Sequence, residues 1–176
     1  MTEAADAVLE LALDRAPTLG TGRLVCIDGP AGSGKTTLAK ALGAPTVHMD
    51  DLYEGWSGLD RVDAQLEGLL RPLATGAAGG YRRFDWDAGA FAETVVIAPV
   101  PLLVLEGVGS GSSRFEDLQT VLVWVEAPYD VRMARGIARD GDAFAPHWEQ
   151  WAEDEAALFA RERTRERADL VVDASR

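Results

Sequence analysis

Eight residues, from Gly29 to Thr36, have the types and spacing that bind phosphate groups. They run Gly-Pro-Ala-Gly-Ser-Gly-Lys-Thr and match the pattern G-x-x-x-x-G-K-[ST], between a predicted strand and a predicted helix. Glycines let consecutive backbone N–H groups point inward as an anion nest, and a helix N-terminus adds positive potential. Lys35 would reach the β- and γ-phosphates of a nucleotide, and the Thr36 hydroxyl would hold Mg²⁺.

We therefore assign nucleotide binding to this loop and to the start of the following helix. The expected contacts are those of Gly29, Ala31, Gly32, Ser33, Gly34, Lys35, Thr36 and Thr37. The alternative is a flexible glycine turn without a ligand. The strand expected before the loop and the helix expected after it favour phosphate binding.

Carboxylates follow two other predicted strands. Asp50 and Asp51 come directly after the second strand, and one of them could accept the proton of an attacking hydroxyl during phosphoryl transfer. The alternative role is a cap on the next helix, and each aspartate could do one of these jobs. Glu106, after a later strand, could orient Mg²⁺ or bind substrate, and its alternative is a helix cap or a solvated turn residue.

Three arginines share one face of a helix predicted between Pro128 and Gly141. Arg132, Arg135 and Arg139 are spaced i, i+3 and i+7. Their planar guanidinium groups suit phosphate oxygens and could neutralise charge on a transferring phosphoryl group. The alternative is a solvated helix face on which these arginines pair with neighbouring aspartates.

Aromatic and charged residues cluster in the middle of the chain, in segments that we predict as loops. Tyr53 and Tyr81 suit a ring-bearing substrate, and Asp85 could bind its hydroxyl groups. Arg82 or Arg83 could bind an anionic group. The alternative is that the aromatic residues belong to the core.

Short apolar strands alternate with helical patterns, which predicts a parallel sheet buried on both faces. The predicted strands are Arg23–Asp28, Pro45–Met49, Leu102–Leu105, Thr120–Val125 and Asp169–Val172. The predicted helices are Glu3–Arg15, Thr36–Leu42, Asp60–Leu70, the one between Pro128 and Gly141, and one from His147 to about Arg167. Ligands bind at the carboxyl ends of such strands, which is where the glycine loop and the carboxylates lie.

The composition narrows the class of protein. The 176 residues suit one domain, and the net charge of −12 argues against binding to a nucleic-acid duplex. The single cysteine, Cys26, excludes a disulfide scaffold, and no apolar run reaches the roughly 18–20 residues that a membrane span needs. We expect a cytoplasmic monomer or homodimer, without a signal peptide, whose partner is a small-molecule substrate rather than a nucleic acid or a membrane.

The chain resembles the P-loop kinases, and among them the uridine kinase and phosphoribulokinase-like group. The resemblance spans about Arg23 to Val172 and rests on motifs that occur in the order of that group. These motifs are GPAGSGKTT at 29–37, MDDLY at 49–53, YRRFDWD at 81–87, LEG at 105–107 and RGIARDG at 135–141. One departure is Gly136, which stands where the group has a second arginine.

The resemblance implies a three-layer α/β sandwich with a five-stranded parallel sheet in the order 2-3-1-4-5, ATP and Mg²⁺ as cofactors, and a lid around 132–148. It makes Asp50 the general base and places Glu106 near the metal and the acceptor. It assigns Lys35 and Thr36 to the phosphates and Mg²⁺, and Arg135 and Arg139 to the lid. The substrate-contacting residues would be Asp50, Tyr53, Tyr81, Arg83, Asp85 and Glu106.

The implied activity is transfer of the γ-phosphoryl group of ATP to a hydroxyl of a nucleoside-like or other metabolite. One alternative is a nucleoside monophosphate kinase, which the pair Arg82-Arg83 would suit. The other is a nucleotide-binding ATPase or regulatory module without a small-molecule acceptor. A GTPase is disfavoured, because the sequence has no N-K-x-D segment to recognise guanine.

Overall fold

The computed structural model describes residues 1–141 and 145–175, without the side chains at positions 139, 140 and 145. Its helices are α1 (Thr2–Asp14), α2 (Lys35–Leu42), α3 (Asp63–Ala74), α4 (Tyr129–Asp140), α5 (Trp148–Glu162) and α6 (Thr164–Arg167). Its strands are β1 (Arg23–Asp28), β2 (Thr46–His48), β3 (Gly79–Asp85), β4 (Ala90–Ile97), β5 (Leu102–Glu106), β6 (Val121–Glu126) and β7 (Leu170–Asp173).

Five strands form one parallel sheet in the order β2-β5-β1-β6-β7. Strands β3 and β4 form a separate antiparallel hairpin. When the hairpin strands are left out of the numbering, the order is 2-3-1-4-5, so the predicted sheet is confirmed. The carboxyl ends of β1, β2 and β5 meet at one edge, where residues that could do chemistry are brought together.

The sheet is buried on both faces because successive strand residues point to opposite sides. In β1, Leu24 and Cys26 pack into the cluster that contains α3 and α5 residues. Val25 and Ile27 pack into the other cluster, which contains residues of α1 and α2. This alternation gives the three layers that the sequence predicted, with apolar residues on both sides of the sheet.

The middle segment differs from its prediction as loops. Tyr81 and Phe84 lie in β3, and their side chains are buried, while most of β4 is exposed. Helix α3 also continues beyond the predicted end, with Pro72 inside it. Proline has no N–H to bond the carbonyl four residues earlier, and the helix ends two residues after it, at Ala74.

The helix predicted from His147 to about Arg167 is two helices. Arg163 lies between α5 and α6 with a φ of 51°, a left-handed conformation that ends α5. The longest of the helices named above is α5, with 15 residues. Within the described ranges, no helix combines the length and apolar character that crossing a membrane requires.

Candidate active site

The glycine loop connects β1 to α2 and depends on glycine at positions where other chain segments approach it. Gly29 has a φ of 137°, and a Cβ atom there would lie 2.1 Å from the Val125 carbonyl oxygen. Gly32 has a φ of 76°, and a Cβ atom there would lie 2.3 Å from the Arg132 carbonyl oxygen. The loop is therefore held between β6 and α4, with its backbone close to both.

Lys35 begins α2, and its side chain folds back over the loop. Its Nζ atom donates hydrogen bonds of 2.7 Å to the Gly29 carbonyl and 3.0 Å to the Pro30 carbonyl. The ammonium group is thus held by two neutral acceptors, which a phosphate could replace with a charge-assisted bond. The Ser33 hydroxyl of the same loop is buried and has no hydrogen-bond partner among the described residues.

A buried carboxylate just before the loop joins it to the segment after β5. Asp28 accepts hydrogen bonds from the backbone N–H groups of Gly29 at 2.7 Å, Gly109 at 2.9 Å and Gly111 at 2.8 Å. Burial raises the pKa of Asp28 to about 6, although the three N–H groups and the charge of Lys35 oppose the increase. We had not assigned a role to this residue from the sequence.

Glu106 lies between the N-terminus of α2 and the end of β2. Its Oε1 atom accepts a hydrogen bond of 3.0 Å from Thr36 and lies 2.5 Å from the Nδ1 atom of His48. The hydrogen bond between His48 and Glu106 raises the pKa of His48, although partial burial opposes the increase. Burial alone would raise the pKa of Glu106, but His48, Lys35 and Thr36 outweigh it and keep that pKa below its ordinary value.

The oxygens of Thr36 and Glu106 suit Mg²⁺. This ion prefers oxygen ligands, keeps several waters, and is bound in nucleotide sites through one or two protein groups and the phosphates. In the part of the chain that the structure describes, no group of three or more His, Cys, Asp or Glu side chains could hold a metal ion. The donor set therefore fits a metal shared with a nucleotide rather than a cage made by the protein alone.

A cleft of about 1000 Å³ opens at this edge of the sheet. One wall, the phosphate wall, is lined by Ala31, Gly32, Gly34, Lys35, Thr36, Thr37, Lys40, Arg135 and Gly136. The other, the acceptor wall, is lined by Asp50, Asp51, Tyr53, Trp56, Trp86, Asp87 and Trp151. His48, Glu106, Gly107 and Val108 complete the lining.

Asp50 and Asp51 both line the cleft, in the short turn that follows β2. The indole N–H of Trp86 donates a hydrogen bond of 2.9 Å to the Asp50 carbonyl and ties this turn to the β3–β4 hairpin. Asp50 is an exposed residue, whereas Asp51 is half-buried and its pKa is raised, mainly by burial. Tyr53 lines the cleft, and its hydroxyl donates a hydrogen bond of 2.5 Å to the Val108 carbonyl.

Three of the residues that we predicted to contact substrate lie on β3, outside the residues that line the cleft. Arg83 pairs with Glu93 at 2.7 Å and with Asp85 at 3.4 Å. Asp85 also accepts backbone bonds from Asp87 and Ala88 in the hairpin turn. Tyr81, on the same strand, is buried. A substrate contact by Tyr81, Arg83 or Asp85 stays a prediction.

The predicted arginine face divides along α4. Arg135 lines the cleft and donates a hydrogen bond of 2.9 Å to the Ala174 carbonyl. Arg132 instead pairs with Glu155 at 3.1 Å. The side chain of Arg139 lies outside the described part of the chain, as do residues 142–144 of the predicted lid.

Of the three tryptophans that line the cleft, only Trp151 lies outside the middle segment in which the sequence predicts an acceptor pocket. Trp56 is the centre of an aromatic cluster, 5.0 Å from Trp86 and 5.9 Å from Trp151 between ring centroids. His147 stacks on Trp56 at 4.6 Å with an interplanar angle of 17°. Trp56 and Trp86 belong to the aromatic and charged cluster in the middle of the chain. Nothing local indicated Trp151, which lies on a helix about a hundred residues after Trp56.

Comparison with known proteins gives structural relatives. No protein-family model and no curated protein matches the chain. A protein from Bacillus stearothermophilus described as a possible uridine kinase superimposes with a TM-score of 0.64 at 23% identity, over 97% of this chain and 100% of that chain. A protein from Silicibacter sp. TM1040 described as a candidate fructose transport system kinase gives a TM-score of 0.63 at 22% identity, over 95% of this chain and 98% of that chain. With its sheet order and its loop after the first strand, the chain has the P-loop kinase fold.

Proposed function

We propose that the protein is an ATP- and Mg²⁺-dependent phosphotransferase. It transfers the γ-phosphoryl group of ATP to a hydroxyl of a nucleoside-like or other metabolite. The observation that carries this proposal is the shared cleft, which holds the phosphate-binding loop and Lys35 on one wall and Asp50 with an aromatic surface on the other.

The phosphate wall supplies the donor half of the reaction. The N–H groups of the loop and the start of α2 bind the phosphates of ATP, and Lys35 exchanges its two carbonyl partners for phosphate oxygens. When bound at Thr36 and Glu106, Mg²⁺ neutralises charge on the phosphates. Arg135 lies on the same wall and adds positive charge near the transferred group.

The acceptor wall supplies the other half. Asp50 takes the proton of the attacking hydroxyl, a role supported by its exposure and by its place in the lining of the cleft. The indole rings of Trp56 and Trp86 offer surfaces for a ring or for the apolar face of a sugar. Closure of the cleft around both substrates excludes water and directs the phosphoryl group to the acceptor.

The charges on the acceptor wall favour an acceptor without a phosphate group. Asp50, Asp51 and Asp87 are carboxylates, and none of the seven residues that define this wall is a lysine or an arginine. Arg83, a candidate for binding a monophosphate, is paired with Glu93 and does not line the cleft. These features support a hydroxyl compound over a nucleoside monophosphate as the acceptor.

The test is release of ADP from ATP and Mg²⁺, with and without a panel of nucleosides, nucleoside monophosphates, sugars and other hydroxylated metabolites. We expect one unphosphorylated acceptor to raise turnover well above the basal rate and Lys35→Ala to abolish it. A monophosphate that raises turnover most would favour the nucleoside monophosphate kinase. Binding of ATP without stimulation by any acceptor would favour the ATPase or regulatory module.

A further inference from the structure

Ala31, in the middle of the phosphate-binding loop, is held by two side chains from distant parts of the chain. Its backbone N–H donates a hydrogen bond of 2.8 Å to the Oε2 atom of Glu155 on α5. Its carbonyl accepts a bond of 3.1 Å from the Nη1 atom of Arg132 on α4. The same Nη1 atom lies 3.1 Å from the Oε1 atom of Glu155, so Ala31, Arg132 and Glu155 form a closed network of hydrogen bonds.

The network is shielded from water. The side chains of Arg132 and Glu155 are 12% and 3% exposed, so neither charge is well solvated. Removal of one partner from such a pair leaves the other charge buried without compensation. Arg132 also lies over the rings of Tyr129, at 5.5 Å, and Trp148, at 5.9 Å, which limits the positions that its guanidinium group can adopt.

The backbone of α4 meets the loop at the same place. The Arg132 carbonyl oxygen would lie 2.3 Å from a Cβ atom at Gly32, so helix and loop are in direct contact one residue beyond Ala31. Arg135, which lines the phosphate wall, lies one turn further along α4. A shift of Arg132 would therefore move both the loop and the helix that carries Arg135.

We propose that Glu155 is a positioning residue for phosphoryl transfer, which fixes the phosphate-binding loop through the Ala31 N–H and orients α4 through Arg132. This proposal rests on the proposed function, because it concerns the same cleft. Glu155 acts through the loop and through Arg132 and is not among the residues that line the cleft. Its carboxylate occupies the N–H of Ala31, just as the Asp28 carboxylate occupies the N–H of Gly29.

Two substitutions separate the two contacts. Glu155→Gln keeps an oxygen that can accept the Ala31 N–H bond but loses the ion pair with Arg132. Glu155→Ala removes both contacts. Glu153→Gln is the matched control, since Glu153 lies on the exposed side of the same helix.

The readouts are the dissociation constant of ADP by calorimetry, kcat and KM for ATP, and thermal unfolding to establish that each variant is folded. We expect Glu155→Gln to bind ADP within about threefold of the natural protein and to lose about tenfold in kcat. We expect Glu155→Ala to weaken ADP binding about tenfold as well, because the loop loses a hydrogen bond to a charged group. Arg135→Ala should cost less kcat in the Glu155→Gln background than in the natural protein, because both changes act through α4.

The proposal is overturned if Glu155→Gln has the kcat of the natural protein and only a lower unfolding temperature, which would make Glu155 merely structural. If Glu155→Ala does not fold, the kcat of Glu155→Gln and its cycle with Arg135→Ala still decide. Failure of the natural protein to bind ADP at all would instead refute the proposed function, and the calorimetry distinguishes that outcome directly.

Discussion

The Thr36 hydroxyl at the start of α2 donates a hydrogen bond of 3.0 Å to the Glu106 carboxylate at the end of β5. The two residues are 70 positions apart in the sequence and come from adjacent strand–loop units of the sheet. Two oxygen groups this close, one from a hydroxyl and one from a carboxylate, can bind one Mg²⁺ ion together. The relationship therefore connects the phosphate-binding loop to the metal chemistry of the proposed reaction.

Glu106→Gln should raise the Mg²⁺ concentration that gives half-maximal ADP release by about tenfold or more, because a neutral amide holds a hydrated cation more weakly than a carboxylate. The measurement is a Mg²⁺ titration at a fixed, saturating ATP concentration. Glu126→Gln is the control, since Glu126 ends the next strand but pairs with Arg165. An unchanged Mg²⁺ requirement in Glu106→Gln would remove this residue from the metal site.

Asp50→Asn should lower acceptor-dependent kcat by about 100-fold or more, because a positioned general base contributes about that much. The dissociation constant of ADP should stay within about threefold of the natural value. Asp51→Asn is the comparison, since Asp51 lies next in the chain and lines the same cleft. A large loss of kcat in Asp51→Asn together with a small loss in Asp50→Asn would exchange the roles of the two aspartates.

Trp86→Ala should raise KM for the acceptor by up to about tenfold and leave KM for ATP unchanged, because in the proposed function this ring contacts the acceptor and not ATP. Trp86→Phe keeps a ring but loses the N–H bond to the Asp50 carbonyl, so it should lower kcat more than it raises KM. The control is Trp124→Phe, which also removes an indole hydrogen bond but at a residue that does not line the cleft. Equal effects of Trp86→Ala on both KM values would show that this ring does not select the acceptor.

The buried carboxylate of Asp28 should make stability fall as pH rises between about 4 and 6. Its pKa is 3.8 in an ordinary environment and about 6 in the folded protein, so in this range the folded state binds more protons than the unfolded state. The stabilisation by this group amounts to at most about 3 kcal/mol. It is fully present below the lower of the two pKa values and is lost as the pH rises through the higher one. Other carboxylates have lowered pKa values, such as that of Glu106, and contribute with the opposite sign.

Urea unfolding between pH 4 and 7 measures this contribution as the difference between the natural protein and Asp28→Asn. As pH rises across this range, the natural protein should lose stability relative to Asp28→Asn, and the exposed control Asp6→Asn should behave like the natural protein. The carboxyl ¹³C shift of Asp28 reports its pKa independently of folding. A carboxyl that titrates near pH 4 would contradict the prediction.

The sheet and the phosphate-binding loop could be predicted because their patterns are local. Strand β1 was predicted with the observed bounds, since its six-residue segment is rich in apolar residues and is followed directly by the glycine loop. The β3–β4 hairpin was missed because most of β4 is exposed and shows little of the apolar alternation that marks a half-buried strand. The polar residues between Tyr81 and Asp85 resemble a loop in composition although they lie in a paired strand.

The tertiary connections of the site could not be predicted. Glu155 reaches Ala31 across 124 residues, and no local spacing indicates that contact. The same applies to Asp28, whose carboxylate accepts bonds from Gly109 and Gly111 more than 80 residues away. Arg132 and Arg135 share a predicted helix face, but only packing against α5 determines which one is paired with Glu155 and which lines the cleft.

Three of the five tryptophans of the chain, Trp56, Trp86 and Trp151, line the acceptor wall. Indole emission responds to the polarity and the quenching groups around the ring, so a compound that enters the cleft changes the signal of most of the fluorophores in the protein. The tryptophans of the cleft therefore report ligand binding through their intrinsic fluorescence. Unlabelled candidate acceptors can be screened by intrinsic fluorescence, in the absence of turnover and before any product assay exists.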